Sequence, residues 1–85
     1  MTHRFTKHGL EEMARRGLAR ELVQGVLDSP AQRVAQRSGR LALQSKVHFK
    51  DGEFLLRVIV EPLAEPPAVI TAYRTSKIGK YWRPE

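Results

Sequence analysis

Arg57 is the only charged residue in the run Phe54-Leu55-Leu56-Arg57-Val58-Ile59-Val60. A period of two turns Leu56, Val58 and Val60 to one face of a strand and Arg57 to the other, beside Leu55 and Ile59. A guanidinium in such a strand costs desolvation unless it meets an anion or water. Either an external polyanion or Glu61 supplies that anion, or the side chain snorkels to the sheet edge. Antiparallel pairing brings Gln44, Lys46 and His48 of the preceding strand onto the Arg57 face. Thr71 and Tyr73 of the following strand join them, while Ile70 and Ala72 turn the other way. Lys46, Arg57, Thr71 and Tyr73 together suit phosphodiester cleavage without a metal. In that chemistry the 2′-hydroxyl of RNA attacks its own 3′-phosphate, a base removes the proton, and cations offset the charge on the phosphorane. The same alternation also describes an ordinary solvated sheet face.

The run from Tyr73 to Arg83 interleaves Arg74, Lys77, Lys80 and Arg83 with Tyr73, Tyr81 and Trp82, and contains no acid. Arg74, Lys77 and Lys80 are candidates to neutralise phosphates, and Tyr81 to stack on an unpaired base. Trp82 is expected to close the core instead. His8 begins the first helix and Arg16 ends it; histidine is the usual proton carrier near neutral pH. His3, His8 and His48 lack the spacing of a zinc site, and no carboxylate cluster suggests magnesium, so no cofactor is expected.

The elements that must position these groups begin with two helices. Thr6 is the expected cap of a helix over Lys7–Arg16, with Phe5 stapled back on Leu10 and Gly17 ending it. A second helix, Arg20–Leu27, stops at Ser29-Pro30; Ala19 stands where a capping Ser or Asp would serve better. From Arg33 the period becomes two. Strands are expected over Arg33–Arg37, Leu41–Lys50, Glu53–Pro62 and Ala68–Thr75, with an Asp51-Gly52 hairpin. The end, Ser76–Trp82, reads either as a short helix or as an extended tail. The expected architecture is α+β: two N-terminal helices packed on one face of a four-stranded antiparallel sheet.

The chain has 85 residues, which fits one domain, 1–85. Its net charge is +6, and ten of its fifteen cations are arginines, whose planar donor fork matches phosphate oxygens. RNA is therefore the expected partner. There is no cysteine, no apolar run long enough to span a bilayer, and no signal-peptide core after Met1-Thr2-His3-Arg4. A cytoplasmic location without membrane contact is expected.

Several segments carry a resemblance: Phe5-Thr6-Lys7-His8, Met13-Ala14-Arg15-Arg16-Gly17-Leu18, Leu56–Val60, and Val69–Ile78 with Tyr81-Trp82. Together they resemble a family of small bacterial domains of unknown function that is similar in layout to RelE-like toxins. Those toxins belong to the wider barnase/EndoU/colicin/RelE class of metal-independent ribonucleases. The resemblance implies a RelE-like fold, a toxin-type endoribonuclease, and a cognate antitoxin protein as partner. It also implies that His8, Arg16, Arg57, Thr71 and Tyr73 form the catalytic set. In that set Arg57 and Arg16 bind phosphate, His8 or Tyr73 moves protons, and Thr71 positions the scissile group. The alternatives are a non-catalytic nucleic-acid-binding module, or an interaction domain for an acidic protein.

Overall fold

Thr6 fixes where the first helix begins and what it rests on. Its backbone is extended, its hydroxyl accepts from Gly9 N–H at 2.9 Å, and it donates to the Val69 carbonyl at 2.8 Å. One side chain thus caps α1 (Lys7–Arg15) and fastens it to the sheet. Gly17, at φ +66°, ends the helix in the left-handed conformation that glycine adopts without penalty. Leu18 N–H then reaches the Met13 carbonyl and Gly17 N–H that of Ala14, which completes a Schellman turn. The second helix, α2 (Arg20–Asp28), has no side-chain cap at Ala19.

The computed structural model describes residues 3–84. Met1 and Thr2, which open the stretch read above for a signal sequence, lie outside the described residues, as does Glu85. The strands are β1 (Arg4–Phe5), β2 (Gln32–Ala35), β3 (Leu41–Phe49), β4 (Gly52–Glu61) and β5 (Ala68–Thr75), and a third helix, α3 (Ile78–Tyr81), follows them. The sheet order is β1-β5-β4-β3-β2. β1 runs parallel to β5, and every other pair is antiparallel.

This architecture overturns the expected four-stranded antiparallel sheet with two N-terminal helices. The sheet has five strands and is mixed, and the described residues form three helices. The missing strand is Arg4–Phe5, only two residues long and paired with Ala68 and Val69 far along the chain. Its signal is in the partner rather than in its own period. Leu10 is 38% exposed, and the Arg20 guanidinium lies 4.5 Å over the Phe5 ring.

The core lies between α1, α2 and one sheet face. Met13, Leu18, Val23, Val26 and Leu27 meet Leu43, Leu56, Val58, Val60, Val69 and Ala72 there. Each such side chain contributes about 1.5–3 kcal/mol by leaving water. A register shift at Ile59/Val60 pairs Ile59 with Thr71 and Val60 with Val69, which leaves Ile70 as the extra residue of a bulge. Val69, not Ile70, therefore occupies the core position. No helix among the described residues is long and apolar enough to cross a membrane.

A guanidinium held without a carboxylate

On the sheet face turned away from α1 and α2, register places Gln44 opposite Arg57 and Arg57 opposite Tyr73. Arg57 is 5% exposed. Its Nε donates to Gln44 Oε1 at 2.9 Å and its Nη1 to Tyr73 Oη at 2.6 Å. The Tyr81 ring covers it, with its centroid 4.3 Å from the guanidinium carbon. No carboxylate of the described residues pairs with it. Glu61, the internal partner that the sequence allowed, faces Arg40 at 3.7 Å instead. Arg57 is therefore a buried cation solvated, among the described residues, by an amide, a phenol and a π-face.

Gln44, wholly buried, orients this group. While its oxygen accepts from Arg57, its Nε2 donates to Gln32 Oε1 at 2.8 Å and to the Tyr81 carbonyl at 3.1 Å. Gln32 continues the chain: its Nε2 donates to the Arg83 carbonyl at 2.7 Å, and its Oε1 accepts from Arg83 N–H at 3.0 Å. Neither glutamine was singled out as a functional residue by the sequence. The available signal was positional, since Gln44 and Arg57 share a face by alternation.

A second cluster borders the first along β5. Arg16 donates through Nη1 to Thr71 Oγ1 at 3.1 Å and to the Ala72 carbonyl at 2.8 Å, and its Nη2 meets Glu12 at 2.8 Å. Glu12 also holds Arg15. The Arg15 hydrogen bond, reinforced by the charges of Arg15, Arg16 and His8, keeps the Glu12 carboxyl below its ordinary pKa. Thr71 and Tyr73 lie two residues apart on one strand, so the Arg16–Thr71 and Arg57–Tyr73 pairs are neighbours.

The remaining candidates divide. His8 is exposed on the first turn of α1 and makes no side-chain hydrogen bond within the described residues. Lys46 lies 4.3 Å over the Trp82 ring and Lys80 5.2 Å over the Tyr81 ring that covers Arg57, while Lys77 is exposed. Trp82 is half-buried on this face rather than in the helix-side core. Arg74 points to the opposite face. It is bound by both oxygens of Asp51, at 2.8 and 2.9 Å, and packed over the rings of Phe49 and Phe54. The hydrogen bond from Arg74 holds the Asp51 carboxyl below its ordinary pKa.

The Arg57 face is not the solvated sheet face that alternation allowed, because Tyr81 and the residues after it cover it. A cleft of about 550 Å³ lies elsewhere, where Leu27 and Asp28 meet Leu41, Val60 and His3. Among the described residues, no three His, Asp or Glu side chains converge as a metal set would.

Residues 5–74 match the model of a family described as a domain of unknown function, DUF4258. The match spans Arg16, Gln44, Arg57, Thr71 and Tyr73 and ends before α3. No curated protein and no solved structure matches the chain, so the RelE-like likeness finds no support there.

Proposed function

We propose that this chain, which belongs to the DUF4258 family, is a metal-independent endoribonuclease acting on single-stranded RNA. The observation that carries this reading is the Arg57–Tyr73 pair: a buried guanidinium that meets no carboxylate of the described residues, donating to a phenol at 2.6 Å. A phosphodiester would supply the absent charge, and the pair would meet it with a cation and a proton donor. Because Tyr73 Oη accepts from Arg57, its own hydrogen remains free to be donated. The neighbouring Arg16–Thr71 pair offers a second cation and a hydroxyl along the same strand. Lys46 and Lys80, which lie over the Trp82 and Tyr81 rings, and the exposed Lys77 would contact the RNA backbone.

The step is an internal transfer. The RNA 2′-oxygen, having given its proton to a base, attacks the adjacent phosphorus, and the bond from phosphorus to the 5′-oxygen breaks. Arg57 and Arg16 offset the charge of the phosphorane, and Tyr73 delivers a proton to the departing 5′-oxygen. His8 is the candidate base.

The burial of Arg57 beneath Tyr81 favours one rival, RNA binding without turnover. Incubation of the purified chain with labelled single-stranded RNA in EDTA separates the two. Fragments ending in 2′,3′-cyclic phosphate and 5′-hydroxyl, lost in Arg57→Ala, are the expected result. RNA that is retained but intact establishes the rival. RNA that is neither bound nor cut by folded protein overturns both.

A further inference from the structure

Tyr81 and Arg83 make contacts with the Arg57 face that a nucleotide could make in their place. The Tyr81 ring stacks 4.3 Å over the guanidinium, as an unpaired base stacks on arginine. Its carbonyl accepts from Gln44 Nε2 at 3.1 Å. The Arg83 N–H and carbonyl pair with both ends of the Gln32 amide, at 3.0 and 2.7 Å. A donor beside an acceptor is also what the edge of a nucleobase presents to a glutamine.

We propose that Arg57, Gln44, Gln32 and Tyr73 form the binding site for one nucleotide of single-stranded RNA, and that Tyr81 and Arg83 occupy it from within the chain. The proposal rests on the RNA reading above and adds to it the site's ligand unit and its internal competitor.

The competitor is weakly held. α3 has four residues, none of them buried and no side-chain cap, and so short a helix does not persist without external contacts. The competitor's hydrogen bonds to Gln44 and Gln32 and its ring over Arg57 each have an equivalent in a nucleotide. Among the described residues none supplies Arg57 with an anion, which a nucleotide brings as phosphate. An entering nucleotide thus replaces the stacked ring and the paired amide, and it neutralises Arg57 as well. As long as the tail occupies the site, apparent RNA affinity is lowered in proportion to the closed fraction.

The test uses the full chain and fluorescein-labelled oligouridylate at low salt. Fluorescence anisotropy gives affinity, and the emission maximum of Trp82, the only tryptophan, reports the tail. Tyr81→Ala is expected to bind about tenfold more tightly than the parent chain, as removal of a mostly closed state requires. RNA added to the parent chain is expected to shift Trp82 emission to the red as the indole leaves its contact with Lys46. The emission measurement needs no substitution, so it stands even if Tyr81→Ala folds poorly. If the parent chain binds RNA, Trp82 emission stays fixed and Tyr81→Ala binds no better, the competitor is refuted while the RNA reading survives. If neither protein binds, both fall.

Discussion

Tyr73 Oη lies 2.6 Å from Arg57 Nη1 because the two residues are direct partners across β4 and β5. The pair is set by backbone register in the middle of a sheet, so its geometry is rigid in a way that a loop could not match. Tyr73→Phe keeps the ring and removes only the hydroxyl. Cleavage is expected to slow by about 10²–10⁴-fold, the usual worth of a positioned proton donor. RNA affinity should fall by far less, which single-turnover kinetics beside an anisotropy titration would establish. An equal loss of both would make Tyr73 a structural support of Arg57.

Lys77 and Lys80 are expected to act through phosphate charge alone. Each phosphate contact on a single strand contributes about 0.7 to the slope of log affinity against log salt. Replacing both lysines by alanine should flatten that slope by about 1.4. Arg74→Gln should leave it unaltered, because Arg74 is already bound to Asp51 on the other face.

Gly9 marks the closest approach of α1 to the sheet. A Cβ there would stand 2.7 Å from the Val69 carbonyl oxygen, backbone that cannot move aside cheaply. Gly9→Ala is expected to destabilise the fold by about 1–3 kcal/mol, despite alanine's better helix propensity. Urea unfolding would show a lower midpoint, and an unchanged midpoint would mean that the α1–β5 contact is looser.

The Asp51–Arg74 ion pair predicts an acid-sensitive component of stability. The folded-state pKa of Asp51 lies below the ordinary 3.8 because Arg74 donates to the ionised carboxylate. The contribution is therefore full above that ordinary value and disappears as pH falls through the folded value. As pH falls from 3.8 through the folded-state value, the parent chain should lose stability more steeply than Asp51→Asn. Parallel unfolding curves over that interval would remove the ion pair from the account. Glu12, lowered by Arg15 and Arg16, acts in the same direction and is common to both proteins.

Much of this molecule was legible one residue at a time. Gly17 announced the end of α1, Thr6 its beginning, and the alternation of Leu41, Leu43 and Leu56, Val58, Val60 announced both the strands and the face that they bury. The placement of Gln44, Arg57, Thr71 and Tyr73 on a common face followed from the same alternation. These features are set by conformational preferences and periods that act within a few residues, so the sequence alone determined them. Only the tertiary structure decided the rest. Arg4-Phe5 became a strand because Ala68-Val69 lay free to pair with it, and Ile70 lost its core position to a bulge. Arg57 found an amide, a phenol and a covering tyrosine where the sequence offered either Glu61 or open solvent. Each outcome depends on which distant surfaces meet, and that choice belongs to the packing of the whole chain rather than to any local segment.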